Sequence, residues 1–347
     1  MIITEAEGLR RLGIQIFSGL GAPEDKAKFV SETLVEANLC GHDSHGVSYY
    51  ATYGDRIRKG FIKPHFDPVV VKETPSTAHV DGKWGFGQIV AIRMMEIAVE
   101  KAKKNMISAV GAFNVNHIGR LGFYTEWATR QNMIAMMFAN VGNPIVAGFH
   151  GTSRTFGTNP MSISAPTDTG EAFLMDYATS LAAAGKISVA RAKKVKIPTS
   201  WTRDKDGKQT DDPNAYSEGG WMMGFGEHKG YGLQMVSELL GAALTGSRIS
   251  MDDGRNPPSP NGVFCIALNP EAFVGLEAFK DKATEIIKNV KSRPPEPGET
   301  VLVHGDPERI SKKERLKNGI PIPEPTWEQI TKLSQELNID PSIALKN

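Results

Sequence analysis

The chain has 347 residues, enough for a large core and for one large or two coupled domains, and too many for a single small module. Its 40% apolar and 23% charged content is that of an ordinary globular protein, and 40 basic against 39 acidic residues leave a formal charge of +1. Lys and Arg are scattered among Asp and Glu and form no basic stripe interleaved with aromatics, so no nucleic-acid partner is expected.

The N-terminal MIITEAEGLRRLG lacks the apolar core and cleavage site of a secretory leader, and no apolar run approaches membrane-spanning length. Apolar spacing predicts two opening helices, over roughly 4–20 and 23–40. The second is begun by Pro23 with Glu24 and Asp25 at its positive end and is stopped by Gly41. GHDSHG follows at once, and behind it stand Tyr49, Tyr50 and Tyr53. Cys40 and Cys265, far apart in the apolar runs EANLCG and VFCIAL, read as buried free thiols of a reducing compartment, and a cytoplasmic protein is expected.

From about residue 77 short apolar runs alternate with amphipathic stretches: AHVDG, QIVAIRMMEIAVEKAKK, ISAVGAF, RLGFYTEWATRQ and MIAMMFAN. That texture is α/β, with a large mixed sheet. MSISAP, AFLMDYA, VFCIALNP and VLVHG read as further strands, and KGYGLQMVSELLGAALTG as a buried helix. Residues 200–224 and 248–262, rich in Gly, Pro, Asp, Asn and Ser, read as long surface loops. From about 306, two amphipathic stretches flank GIPIPEPTW. Folded back on the opening helices, they would make 1–75 with 306–347 a discontinuous helical domain beside a mixed-sheet domain over 76–305.

Two short segments carry candidate chemistry. In His42-Asp43-Ser44-His45, a histidine neutral near physiological pH suits alcohol–ketone interconversion, where one proton accompanies each hydride. A helix-capping role and a metal half-site are the other readings, although a zinc site normally needs further ligands that are not evident here. Asn116-His117-Ile118-Gly119-Arg120-Leu121-Gly122 follows a strand and opens a helix. Its free backbone N–H groups, the helix dipole and Arg120 suit a phosphate or carboxylate, and an ordinary strand-to-helix turn with a surface arginine reads about as well.

Phe156 to Pro160, Asp176 to Ser180 and Glu227 to Gly232 also sit where strands end or helices begin, the usual address of a ligand in α/β architecture. The dinucleotide fingerprint G-x-G-x-x-G is not convincingly present: Gly85-Phe86-Gly87 lacks the third glycine, which disfavours a standard Rossmann domain.

GHDSHG, NHIGRLGFY, FHGTSRTFGTNP, LMDYATS, EHKGYGL and the closing GDPER with GIPI run in order over nearly the whole chain, and together they resemble the malate/L-lactate dehydrogenase family of non-Rossmann oxidoreductases. Within it the chain is most similar to the hydroxycarboxylate dehydrogenase B branch. The resemblance implies a homodimer in which a mixed-sheet domain binds NAD or NADP beside a helical domain built from both termini. It also implies hydride transfer between the nicotinamide and a small 2-oxo or 2-hydroxy acid. A reductase of a cyclic imino acid is the alternative within the family, and a non-catalytic nucleotide-binding sensor the alternative outside catalysis.

Carried over by position, the resemblance places His45 beside the nicotinamide and makes His45 and His117 the candidate acid/base residues, with no metal required. It assigns cofactor contacts to His45, Gly119, Arg120, Leu121, Leu174, Met175, Asp176, Tyr177, Ala178, His228 and Lys229, to Asn261 in the loop before FCIAL, and to Gly305, Asp306, Pro307 and Glu308. Tyr49, Tyr53 and Arg120 are the substrate candidates. Many members carry an arginine where this chain has Tyr49, which leaves Arg120 as the substitute for a carboxylate clamp, and the closing motif, usually PGE, is here His304-Gly305-Asp306. The basic run Arg191, Lys193, Lys194, Lys196 reads either as a 2′-phosphate site or as a solvated helix face.

Overall fold

The computed structural model describes residues 1–192, 194–252 and 260–346; Lys193 of the basic run and residues 253–259 of the predicted second loop lie outside them. The chain opens with a short strand β1 (Ile2–Thr4), helices α1 (Ala6–Gly19) and α2 (Glu24–Leu39), the 3-10 turn Asp43–His45, and helix α3 (Tyr49–Arg58). Leu9, Leu12, Ile16 and Phe17 recur at helical spacing on α1 and are all fully buried. Truncating one of them, as in Leu12→Ala, would cost about 2–5 kcal/mol. Glu24 and Asp25 occupy the first turn of α2, where the helix dipole favours them, and Gly41 takes the positive φ (+84°) that lets the chain leave the helix sharply.

The middle of the chain runs β2 (Val69–Glu73), β3 (Thr77–Asp81), α4 (Gly87–Asn105), β4 (Ile107–Val115), α5 (Gly122–Thr129) and β5 (Ile134–Val141). It continues through β6 (Val146–Ala147), β7 (Arg154–Phe156), β8 (Met161–Ala165), β9 (Phe173–Tyr177), α6 (Ala184–Ala192), β10 (Thr202–Arg203), β11 (Gln209–Thr210) and β12 (Trp221–Met222). Then come α7 (His228–Glu238), β13 (Asn261–Leu268), α8 (Leu276–Lys291), α9 (Asp306–Asn318), β14 (Ile320–Ile322) and α10 (Glu324–Glu336).

Seven strands form the main sheet in the order β2-β3-β4-β13-β5-β8-β9. Only β3 and β4 pair in parallel, joined by the crossover helix α4, so the sheet is mixed as expected. Helices α4 and α5 cover one face through Val90, Met94, Ala98, Tyr124 and Ala128. A second cluster joins α1, α2 and α3 to the C-terminal segment through Ile320, Ile322, Ile330 and Leu333, and β1 pairs antiparallel with β14. The two ends of the chain therefore pack against each other.

Four expectations need correction. Residues 200–224 are not a bare loop: β10, β11 and β12 join β6 and β7 in a five-stranded sheet whose apolar side includes Ile145, Val146 and Met222. VLVHG is not a strand, because the backbone N–H of Val303 goes to the Asp306 carboxylate in a turn (3.0 Å) instead of into a ladder. Asn261 is not in a loop but is the first residue of β13, 3% exposed. The predicted buried helix hides polar Gln234, Ser237 and Glu238 and turns Met235, Val236, Leu239 and Leu244 outward, because Asn159 and Ser250 bond to the Glu238 carboxylate on its inner side.

Candidate active site

Strand registers place the predicted segments at one end of the main sheet. Asn261 stands opposite Val115 on one side and Val141 on the other, Met161 pairs with Tyr177, and His117 follows two residues after the end of β4. Side chains at that end come from segments far apart in sequence, as is usual where ligands bind α/β sheets.

His45 is held by a brace. Buried Asn38 on α2 donates from Nδ2 to Asp43 Oδ1 (2.6 Å) and accepts from the Val47 amide (2.8 Å), which pins both ends of the turn. Arg315 of α9 donates to the Asn38 carbonyl oxygen (2.6 Å) and forks onto the Asp43 carboxylate, with Nη2 to Oδ2 at 3.0 Å. Asp43 is thereby committed to holding the turn. Among the described residues no group of three or more His, Cys, Asp or Glu is placed to hold a metal ion.

His117 is positioned from the other side. Buried Asn116 donates to the carbonyls of Phe61, Trp84 and Gly85 at 2.9–3.1 Å, locking the strand end to the entry of α4. Gly87 permits that approach: a Cβ there would lie 2.3 Å from the carbonyl oxygens of both Asn116 and His117. The His117 ring is stacked on Tyr49 (centroids 4.1 Å, 12°) and on His45 (5.5 Å, 19°), so the edges of the imidazoles, which carry the ring nitrogens, stay clear of the stacking. Tyr53, wedged against Phe17 and Phe86, sets its hydroxyl 2.7 Å from His117 Nδ1, and Gln88 donates to that same hydroxyl at 2.8 Å. With Gln88 as donor, the phenol proton goes to Nδ1, nearer than the His117 carbonyl at 3.3 Å, and neutral His117 then carries its own proton on Nε2.

These rings are poor at holding charge. Burial, helped by the charges of His42 and Arg120, pushes the His45 pKa down to about 4; burial, with His45 and Arg56 nearby, holds His117 well below the ordinary histidine range. Burial pushes the hydroxyls of Tyr49 and Tyr53 up.

Arg120 belongs to a different environment. Its guanidinium is 2% exposed, 3.8 Å from Asp176 and 3.7 Å from Glu126, and none of its three side-chain nitrogens has a hydrogen-bond partner among the described residues. Asp176 Oδ2 accepts from the Gly122 amide at 2.8 Å, and a Cβ at Gly122 would fall 2.6 Å from that oxygen and 2.8 Å from Arg120 Nη1. Burial raises the Asp176 pKa against the pull of Arg120 and His42. Close by, His42 Nε2 meets Glu308 Oε1 at 3.2 Å, and a small cavity of about 30 Å³ is lined by Leu174, Gly305 and Glu308 together with Cys40, Glu126 and Lys312.

The remaining predicted residues divide. Strand alternation sends Met175 and Tyr177 to the face that packs with Phe138, Met161 and Phe264, opposite to Leu174 and Asp176. The turn before α7 docks on the end of β9 through Phe225 N to Thr179 O (3.0 Å), leaving His228 and Lys229 exposed at the helix start. Asn261 Oδ1 is buried without a partner among the described residues, while Nδ2 donates to the Asn140 carbonyl oxygen. Asp306 is taken up by Lys291, Arg309 and the Val303 amide. In the basic run, Lys196 pairs with Asp211 at 2.6 Å.

Gln88 and Arg56 were not singled out from the sequence. Gln88 is the one polar side chain in an otherwise apolar helix start, QIVAI, and it is fully buried. Arg56 lies seven residues beyond Tyr49 on α3, and its Nη1 is buried without a partner among the described residues.

A mixed sheet without a Rossmann fingerprint, with two histidines stacked at its end near a buried arginine whose donors are unspent, defines a class of α/β protein distinct from the G-x-G-x-x-G dinucleotide binders. Residues 4–331 match the family described as Malate/L-lactate dehydrogenase, and the chain belongs to that family. It is 36% identical to the L-sulfolactate dehydrogenase of Methanocaldococcus jannaschii over 98% of both chains, and the solved structure of that protein superposes with a TM-score of 0.92 over 99% of each. It is 33% identical to hydroxycarboxylate dehydrogenase B of Escherichia coli K12, covering 96% of this chain and 94% of that one. The δ1-piperideine-2-carboxylate reductase of Pseudomonas syringae superposes with a TM-score of 0.86 at 25% identity, over 96% of this chain and 100% of that one.

Proposed function

We propose that the protein is a nicotinamide-dependent 2-hydroxycarboxylate dehydrogenase, interconverting a small 2-oxo acid and its 2-hydroxy acid, with His117 as acid/base. The observation that carries the reading is the Gln88–Tyr53–His117 chain, which orients an imidazole, fixes its tautomer and leaves Nε2 free at the edge of a stack shared with His45. A neutral imidazole with its proton on Nε2 can donate that proton to a carbonyl oxygen as hydride arrives, while the Tyr53 phenol proton moves to Nδ1 and Gln88 donates to the phenol oxygen, so the ring stays neutral; oxidation of a hydroxyl runs the two transfers in reverse.

The residues present fit a dinucleotide. Arg120 offers three buried nitrogens and Asn261 a buried oxygen with no hydrogen-bond partner among the described residues, and such orphaned groups are costly unless a ligand completes them. Arg120 and the 119–121 turn, Asp176 and Leu174, Asn261, His228 with Lys229, and Gly305 to Glu308 would hold it, with His45 beside its nicotinamide. Since Met175, Tyr177 and Asp306 are engaged elsewhere, their part would fall to the main chain. Bound there, NAD or NADP would supply or accept the hydride.

Burial around the rings would keep water away, so the protein's own work is to orient the substrate and to move one proton at His117 Nε2. The two buried thiols, Cys40 and Cys265, fit a reducing, cytoplasmic setting, and the outward apolar side of α7 fits cover by a second copy in a homodimer. The helical unit from both termini, 1–75 with 306–347, would then supply His45, and residues 76–305 would supply His117 and most of the cofactor contacts.

Loss of nicotinamide absorbance on mixing with NADH or NADPH and a panel of 2-oxo acids tests the reading. Turnover of at least one acid is expected; flat traces with tight NADH binding would replace it with a sensor. Similarity to the piperideine-2-carboxylate reductase favours one second reading, reduction of a cyclic imino acid. A protonated imine needs little help from a general acid, so a rate insensitive to His117→Ala on that substrate would support it.

A further inference from the structure

We propose that Arg56 is the group that binds the carboxylate of the substrate; this rests on the proposed 2-oxo-acid chemistry. Tyr49, Tyr53 and Arg56 are spaced four and three residues apart on α3, so the three share one stripe of the helix. The first ring of that stripe stacks on His117 and the second bonds to its Nδ1, which places the third member at the same site. The charge of Arg56 reaches Tyr49, Tyr53 and His117 alike.

The neighbouring cations on α3 show what Arg56 lacks. Arg58 is paired with Glu336 at 2.6 Å and Lys59 with Asp55 at 2.8 Å, whereas no carboxylate among the described residues lies within ion-pair distance of Arg56. One of its nitrogens, Nη1, is buried with no hydrogen-bond partner among the described residues. The backbone around it is fixed, since its carbonyl oxygen closes the end of α3 by accepting from the amides of Phe61 (2.8 Å) and Ile62 (3.1 Å).

A half-buried guanidinium held beside an acid/base imidazole, with a fork of donors unspent, suits a small carboxylate whose adjacent carbonyl then lies near that imidazole. Arg120, the other arginine near the rings, stands between Asp176 and Glu126, which offset its charge. The assignment therefore divides the work, with Arg56 for the substrate and Arg120 on the cofactor side.

The test compares the wild type with Arg56→Gln and Arg56→Lys on the best 2-oxo acid of the panel and on its methyl ester, with NADH binding measured by fluorescence. Arg56→Gln should raise KM for the acid by about 10- to 100-fold and abolish the preference for acid over ester, with Arg56→Lys intermediate and NADH binding retained. An unchanged acid-to-ester ratio in Arg56→Gln would overturn the assignment. A second measurement needs neither turnover nor a variant. Oxamate, an unreactive 2-oxo-acid analogue, should shield Arg56 of the wild type from phenylglyoxal, read by peptide mass spectrometry, and labelling that oxamate does not slow also overturns it. If Arg56→Gln fails to fold, the shielding result decides. Absence of turnover with every 2-oxo acid would count against the proposed reaction, while the shielding experiment still reads Arg56 by itself.

Discussion

The ring stack around His117 and the charged cluster around Arg120 are both buried, both polar and close enough for Arg120 to act on His45, yet they solve burial in opposite ways. Around His117, titratable groups are kept neutral: Tyr53, Tyr49 and the two imidazoles are desolvated, and hydrogen bonds supply the order. Around Arg120 charge is kept and paired, with Asp176 and Glu126 beside the arginine and with the His42–Glu308 and Lys312–Glu36 pairs nearby. A neutral, oriented imidazole is what proton transfer needs, and a buried cation with unspent donors is what an anionic group needs. Proximity alone would have suggested a single site; the two environments indicate a division of labour.

Substitutions that remove one region should leave the other's signature intact. His117→Ala carries the largest expected effect, a fall in kcat of about 100- to 10,000-fold with NADH affinity unchanged, measured by steady-state turnover and fluorescence titration. A larger loss in His45→Ala than in His117→Ala would exchange their roles. Arg120→Met should do the reverse, weakening NADH binding about tenfold or more while the pH profile of kcat keeps its shape. Tyr53→Phe leaves His117 Nδ1 and the Gln88 amide without their shared partner. A drop in kcat of about tenfold is expected, together with a lower Tm, and an unchanged kcat would remove the orienting role from Tyr53.

The smallest effect is on acid stability. Folded His45 takes its proton only near pH 4, whereas the unfolded chain takes it near the ordinary value of 6.5, so between these values the unfolded state binds more protons. Stability is therefore full above about pH 6.5 and is lost as the pH falls toward 4, with His117 acting in the same direction. Thermal melts at pH 7, 6 and 5 should show Tm falling, and His45→Gln should flatten that slope. An equal slope in the variant would show that other groups dominate.

Much of this molecule was legible before folding. The helices α1 and α2, the Gly41 stop and the strand–helix alternation from β3 to β5 follow from local periodicity and capping, which depend on neighbours a few residues away. His45 and His117 were each conspicuous in a polar turn. The errors fell where local pattern is ambiguous. VLV in VLVHG is an apolar run that pairs with no strand among the described residues, and the Gly- and Asp-rich stretch over 200–224 finds short strands because β6 and β7 are there to pair with. In α7, apolar residues face outward because the inner face is claimed by Glu238 and its partners, a choice that no helical period reveals.

What the sequence determined by itself was the set of elements and the polar turns between them, because both are set by short-range sterics, hydrogen bonding and apolar spacing. The tertiary structure alone decided which of those turns meet. Tyr53 reaches His117 across 64 residues, and Arg315 reaches Asp43 across 272. It also decided that Gln88 would be the partner of a phenol and that Arg56 Nη1 would be buried with no hydrogen-bond partner among the described residues. Such facts depend on the register of β4 against β13, on the alternation of β9 and on the closing of α9 over α2, all of which follow from packing the whole chain into one core and from no single stretch of it.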